Sequence, residues 1–329
     1  MNQNGHFVIS LDFELMWGVF DSKDINTYGK NIKAVHKVIP QLLEIFNRYN
    51  ISATFATVGF LFHRDKEDFL SNIPTKTPNY INKKLSPYTN EFNKLGANHH
   101  SDPYHYGAHL IDLIRSYPNH EIASHTFSHF YCLEEGQTPE DFEEDLITAK
   151  KTALLNNIEL KSLIFPRNQF NTQYLRICKT HGIESVRGNE KSWIYHVSSG
   201  KKNYFQRALK LLDTYLNITG HNCHVIKNSD KELPLNIPSS RFLRPYSSKL
   251  SFLEFLKLKR IKKGMSYAAK NNLIYHLWWH PHNFGANTAK NIQNLTKLLN
   301  HFQYLSKKYS FHNSTMNHLV EINNKRKYE

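Results

Sequence analysis

The sequence predicts an α/β barrel, and three observations carry that expectation. Short apolar or β-branched runs alternate with longer amphipathic stretches along most of the 329 residues, the mark of βαβ units and a parallel sheet. No glycine-rich turn follows the first strand: Asp12-Phe13-Glu14-Leu15-Met16-Trp17-Gly18 has nothing like GxGxxG, which argues against a dinucleotide-binding sheet. Polar residues with metal-binding and acid–base chemistry stand at the strand ends, where α/β barrels keep their sites.

Taken in order, Phe7-Val8-Ile9-Ser10-Leu11 reads as a strand buried on both faces. Val35, Val38, Ile39, Leu42, Leu43 and Phe46 recur at three-to-four spacing and predict a helix from about 31 to 49. Residues 51–58 are β-branched and aromatic, a second strand. From about 63 to 106 the rhythm breaks into a polar, proline-containing insertion, read as a lid or binding loop or as a helical excursion that only packs. Alternation resumes with a helix at 108–114 and a strand at 120–123. Thr138-Pro139-Glu140-Asp141 opens a helix to about Asn156, with an N-cap residue, proline at the first position and acids in the first turn. A strand at 160–165, a helix at 172–181 and a short strand at 183–186 follow. A second irregular insertion covers about 190–250. Then come a helix at 251–271, a strand at 273–279, a helix at 288–307, and a short strand with a tail. The count is six or seven strand–helix units, expected as a single domain over residues 1–329 with the two insertions.

Composition narrows the class. Hydrophobic residues make up 40% and aromatics 13%, enough for a sizeable core. The formal charge is +14, but the basic residues are spread out, with short clusters only at 256–263 and 325–327. No helix-turn-helix, RNP-type or zinc-finger pattern accompanies them, so a solvated basic surface is expected and not a nucleic-acid partner. Three scattered cysteines imply neither a disulfide framework nor a Cys-based metal knuckle. No signal-like N-terminus and no apolar run of about 20 residues is present, so a cytoplasmic protein without a transmembrane segment is expected.

The strand ends supply the candidate chemistry. Ser124-His125-Thr126-Phe127-Ser128-His129 places two imidazoles four residues apart, reaching one point from a helical turn or a tight loop. In a chain with 20 histidines this spacing also arises by chance, so the other strand ends matter. Asp12 and Glu14 share a strand face, while Phe13 points away. Arg167, Asn168 and Gln169 follow the fourth strand, Arg187 the fifth, and His280 and His282 the last. Two acids, paired histidines, an arginine and a further histidine are what a hydrolytic metal site needs. Trp17 and Trp193, in loops beside strand ends, are candidate sugar-stacking platforms. Arg187, Arg241 and Arg244 are candidates for binding a phosphate or pyrophosphate.

This constellation resembles the polysaccharide deacetylase (NodB-homology, carbohydrate esterase family 4) group. Ser10-Leu11-Asp12-Phe13-Glu14 stands for its Thr-Phe-Asp-Asp block, and 124–129 for its His-x-x-x-His block. Phe165-Pro166-Arg167-Asn168-Gln169 stands for its arginine–proline block and Leu277-Trp278-Trp279-His280-Pro281 for its late histidine block. The resemblance implies a distorted, incomplete (β/α) barrel, usually of seven strands. It implies Asp12 as catalytic base, Arg167 as the residue orienting it, and His280 as general acid, with His282 competing for that role. One divalent metal, with zinc expected, would be held by His125, His129 and Glu14. Glu14 stands in for an acidic ligand whose place is taken by Phe13. Asn168, Gln169, Arg187, Trp193, His282 and Trp17 are the expected substrate contacts. The implied activity is removal of an N-acetyl group from an amino sugar or glycan precursor, free or lipid- or nucleotide-linked, in surface-polysaccharide or lipopolysaccharide biosynthesis. Two alternatives share the fold: hydrolysis of another non-peptide C–N bond, as in a small amide or ureide, and a non-catalytic glycan-binding relative.

Overall fold

The computed structural model describes residues 4–195, 204–226 and 230–325. The chain runs β1 (His6–Phe13), α1 (Ile25–Arg48), β2 (Thr54–Thr57), α2 (Lys66–Ser71), α3 (Pro87–Asn90), α4 (Ala108–Ser116), β3 (Glu121–Ser124) and α5 (Pro139–Leu155). It continues through β4 (Ser162–Leu163), α6 (Thr172–Thr180), β5 (Ser185–Val186), α7 (Tyr204–Tyr215), β6 (Leu235–Asn236) and β7 (Arg241–Phe242). It ends with α8 (Glu254–Lys270), β8 (Ile274–Trp279), α9 (Thr288–Tyr309), β9 (His312–Ser314) and α10 (Met316–Lys325).

The strands form one curled parallel sheet in the order β6-β5-β4-β3-β2-β1-β8-β7, with β9 paired to the start of β1. This is the distorted, incomplete (β/α) barrel expected, with eight strands on the path where seven were expected. The extra strand has a simple origin. β6 and β7 are two halves of one bent segment that leaves one end of the sheet and joins the other. Ile237 N and Ser239 N donate to Val186 O and Gly188 O beyond β5, while Ser240 N and Leu243 N donate to His276 O and Trp278 O in β8.

β1 shows how the sequence positions a site. All eight residues are buried, as a strand covered on both faces must be. Its odd residues Phe7, Ile9, Leu11 and Phe13 enter the main core, packed beneath Val35, Ile39, Leu42 and Phe46 of α1. Its even residues face inward. Val8 joins an inner apolar layer with Ala56, Ala123, Ile164 and Ile237, against which Met316, Leu319 and Val320 of α10 pack. Ser10 and Asp12 continue up the same face, so the period of two turns an apolar floor into a polar mouth.

The expected elements are present with shifted ends, and α7, β6, β7 and α10 were not expected. α1 starts at Ile25, six residues early, because the Asp24 side chain accepts the Asn26 amide at 2.7 Å. α7 lies inside the second insertion and leaves Tyr204, Phe205 and Leu212 exposed, so its apolar pattern never marked a single buried face. α10 replaces the expected tail, on three buried apolar residues at 316, 319 and 320. The insertion at 63–106 packs: Phe69, Tyr80 and Tyr106 are buried, and Phe69 stacks on Trp17 at 5.6 Å. Of the basic cluster at 256–263, Lys257 and Arg260 are buried in ion pairs with Glu254 and Asp213. The cluster at 325–327 lies outside the described residues beyond Lys325. Among the described residues no helix is long and apolar enough to cross a membrane.

Candidate active site

Glu14 is the centre of the mouth. It caps β1 just before a 3₁₀ turn, Leu15–Gly18, and is 3% exposed. One carboxylate oxygen, Oε2, stands 3.3 Å from His125 Nε2 and 3.2 Å from His129 Nε2. The other, Oε1, stands 3.0 Å from His282 Nε2 and 3.7 Å from His280 Nε2. Two ligand triads therefore share one carboxylate: Glu14–His125–His129 and Glu14–His280–His282. Gly18 makes room for this, since a Cβ there would fall 1.9 Å from the Glu14 carboxyl carbon.

The two histidines of the HxxxH stretch sit on a tight loop after β3, not on a helix. Thr126 and His129 adopt φ of 63° and 60°, a strained choice for a β-branched residue in particular. The loop is over-determined by its hydrogen bonds. Phe127 N and Ser128 N donate to the buried Asp145 carboxylate at 2.6 and 3.0 Å, and the Ser128 hydroxyl donates to it as well. Phe130 N donates to Thr126 Oγ1 at 2.7 Å. His125 Nδ1 donates to Ile164 O at 2.8 Å, which fixes the ring with its Nε2 facing Glu14.

Asp12 lies two residues before Glu14 and is gripped by Arg187, with Nη1 to Oδ1 at 2.6 Å and Nη2 to Oδ2 at 2.8 Å. Both are almost fully buried. Here the expectation for Arg167 fails. Its guanidinium pairs with Asp21 and Glu134 and lies over the Tyr131 ring at 4.2 Å. The cause is local: Arg167 and Asn168 both take left-handed backbone, with φ of 53°, turning Arg167 to the rim. Arg187, expected to touch substrate, is buried behind Asp12 and instead bonds Ser10 Oγ at 3.1 Å and Asn168 Oδ1 at 3.1 Å. Beneath them Ser10 Oγ meets His276 Nε2 at 2.8 Å, and burial pushes that imidazole down to about 3.

His280 follows β8, its side chain 24% exposed, with Nε2 at 3.7 Å from both Asp12 Oδ2 and Glu14 Oε1. Its Nδ1 meets Asn283 Oδ1 at 3.2 Å. His282 is buried, with Tyr28 hydroxyl on its Nδ1 at 2.9 Å. Gln169 is buried against Glu134 at 2.8 Å. Trp17 is a correction: it is fully buried, donates its indole N–H to His105 O at 2.8 Å and packs on Phe60 and Phe69, so no sugar can stack on it. Trp193 is 60% exposed.

The electrostatics favour an ionised Glu14. Burial alone would raise Glu14, but His280 and the hydrogen bonds of His125, His129 and His282 outweigh it and hold the group well below the usual carboxylate range. Burial lowers His129 and His282, leaving them neutral near pH 7. For Asp12 burial is likewise overcome, chiefly by Arg187, and the carboxyl is lowered. Sequence reasoning missed Tyr28, Asn283, Asp145 and Ser10. Only Ser10 carried a signal, as the next inward position below Asp12.

The model of the family described as polysaccharide deacetylase matches residues 19–186, half of the chain. The chain belongs to the polysaccharide deacetylase family. The match begins after Asp12 and Glu14 and ends before Arg187, so none of these three contributes to it. This family member shares its fold with solved structures at low identity. A Mycobacterium smegmatis protein bearing the polysaccharide deacetylase name is 11% identical, covers 99% of this chain and 92% of its own, and gives a TM-score of 0.63. The PuuE allantoinase is 10% identical, with 96% and 87% covered and a TM-score of 0.51. A Pseudomonas aeruginosa PAO1 protein of the same deacetylase name is 10% identical, with 96% and 88% covered and a TM-score of 0.50. No curated protein sequence matches the chain.

Proposed function

We propose that this polysaccharide deacetylase family member is a metal-dependent amidase. In this reading it removes the acetyl group from an N-acetylated amino sugar or glycan precursor used in surface-polysaccharide or lipopolysaccharide assembly. One observation carries the reading: a buried carboxylate, Glu14, faces two imidazoles with one oxygen, while a second, arginine-clamped carboxylate and a partly exposed imidazole stand beside it.

The donor set fits a divalent cation. Ligands about 2.0–2.1 Å from zinc at tetrahedral angles stand roughly 3.3 Å apart, which is the spacing of Glu14 Oε2 from His125 Nε2 and His129 Nε2. Held by these three, the cation would polarise the amide carbonyl and acidify water. Two imidazoles and one carboxylate also make up the His2Glu catalytic zinc site, which supports zinc as the ion.

The remaining work falls to the chain's own groups. Asp12 is ionised and oriented by the two-pronged Arg187 contact, so it accepts the proton of the attacking water. Arg187 is itself held by Ser10 and Asn168, which fixes the fork against rotation. His280 occupies the open side. With Nδ1 donating to Asn283, its Nε2 carries a proton only in the imidazolium form, and that proton goes to the leaving amine nitrogen. His282 is closed off by Tyr28 and Glu14, so it holds Glu14 in place and His280 is the acid.

Acetate release from N-acetylhexosamine oligomers and nucleotide-linked N-acetylhexosamines tests the proposal. Wild-type protein reconstituted with zinc should release acetate, and Asp12→Asn should be slower by about 10²–10⁴-fold. Equal rates would remove Asp12 as the base, and a protein that takes up no stoichiometric metal after reconstitution would remove the metal-dependent reading.

A further inference from the structure

We infer that the cavity beside His280 is a subsite for a phosphoryl group, so that the amino sugar is processed as a phosphate ester. This rests on the amidase reading above and names the substrate class for the same site. The cavity holds about 260 Å³ and is walled by Asn168, Lys210, Arg244, Phe242, Trp278 and His280, with Glu190, Arg241 and Arg167 also lining it. That is below the 300–1,000 Å³ common for ligand pockets, room for one compact group and not for a glycan chain.

Its charges are unevenly balanced. Arg167 is paired with Asp21 and Glu134, and Arg241 with Asp213. Glu190, the one acid in the wall, is buried beside Ser239 and lies in the field of Arg241, Arg187 and Lys210. Lys210 and Arg244 have no ion pair among the described residues; the Lys210 ammonium lies 5.5 Å from the Tyr195 ring centre. Two further polar atoms of the wall residues are buried without a partner, Arg244 Nε and Trp278 Nε1. Every one of these unsatisfied groups is a donor. A ligand that presents acceptor oxygens in several directions and carries negative charge answers all of them, and a tetrahedral phosphoryl group does so better than a planar carboxylate. Neutral sugar hydroxyls would leave Arg244 without an ion pair and Lys210 with only Glu190, an acid it shares with Arg241 and Arg187. The neighbours on the other side are His280 and Asn168, the latter bonded to Arg187. A phosphoryl group seated here therefore lies next to the residue assigned to the leaving amine.

The test compares N-acetylglucosamine-1-phosphate, UDP-N-acetylglucosamine, a polyprenyl-phosphate N-acetylglucosamine in detergent, and a neutral N-acetylglucosamine oligomer. The expected result is a kcat/KM at least tenfold higher for one or more phosphorylated substrates than for the oligomer, shrinking as salt rises. Which phosphorylated arm leads identifies the nucleotide, the lipid or the simple ester as source. Lys210→Ala and Arg244→Ala should each cut that preference ratio at least fivefold, with Lys210→Arg restoring most of it and circular dichroism confirming the fold. Calorimetric binding of glucosamine-1-phosphate, which carries no acetyl group, gives a readout independent of turnover. It should weaken at least fivefold in both alanine variants. Should no substrate release acetate while this binding is present and lost in the variants, the amidase reading fails and the subsite stands. Equal turnover of the oligomer, a stronger preference for an N-acetylhexosamine uronate, or binding unaffected by either alanine would overturn the subsite.

Discussion

Arg187 and Arg167 exchange the parts that sequence order suggested for them. Block order alone points to Arg167 as the partner of Asp12, because it follows a strand within an arginine–proline block. Spatially, the fifth strand lies where a guanidinium can reach inward to Asp12, and the left-handed turn at 167–168 sends the other arginine outward. Arg187→Gln should therefore shift the acidic limb of kcat/KM against pH to higher pH, whereas Arg167→Gln should leave the limb in place. The sign follows from the balance at Asp12: burial raises its carboxyl and Arg187 lowers it, so removing Arg187 leaves burial unopposed and protonates the base at higher pH. An unmoved limb in Arg187→Gln would contradict this pairing. A second residue-scale outcome concerns Gly18. A methyl group there must displace the Glu14 carboxylate, so Gly18→Ala should weaken zinc binding at least about tenfold, as loss of ligand support commonly does. Competition against a chromogenic chelator measures it, and wild-type affinity in a folded variant would show that Glu14 is not held where zinc needs it.

At the scale of elements, one carboxylate ties the second insertion to the barrel. Asp213, at the end of α7, is fully buried and accepts from Arg260 of α8 at 2.6 Å, from Arg241 of β7, and from Tyr195 at 2.7 Å. The amides of Ile218 and Thr219 add bonds at 3.0 and 2.9 Å. Asp213→Ala would strand two buried guanidinium groups and should cost about 3–5 kcal/mol, read from urea unfolding. The pH dependence has a definite sign. Burial raises the carboxyl, but Arg241, Tyr195 and Arg260 overcome it and bring the group down to about 2 from an ordinary 3.8. Its stabilisation is thus complete above about pH 4 and is lost as pH falls toward 2. The gap between wild type and Asp213→Asn should narrow across that window; a constant gap would mean the charge is not what stabilises. None of this was legible in the sequence, since the partners lie 28 and 47 residues from Asp213.

Across the whole molecule, the mouth of the barrel concentrates two buried carboxylates, Asp12 and Glu14, and several imidazoles at the end of β1, the strand with the most neighbours in the sheet. A cation bound there joins β1, the loop after β3 and, through His282, the segment after β8. It should therefore stabilise the entire fold by mass action, about 4 kcal/mol at a thousandfold excess over Kd. Differential scanning calorimetry should show Tm rising with added zinc and falling with chelator in wild type, and Glu14→Gln should abolish the response. A Tm indifferent to zinc in wild type would place the cation elsewhere or nowhere.

The sequence by itself determined the parallel barrel, the inward face of β1 and which side-chain types are candidate ligands, because these follow from periodicities of two and of three to four residues and from the chemistry of strand-end side chains. Through the family resemblance it also brought Glu14 forward as the partner of His125 and His129, a substitute on the same strand face as Asp12. Tertiary structure alone decided which arginine holds Asp12, that Trp17 is core, that β6 and β7 bend across the two ends of the sheet, and that Lys210 and Arg244 line one cavity with no ion pair among the described residues. Those outcomes depend on backbone turns and on contacts between residues distant in the chain, where no local pattern records which of several like side chains arrives first.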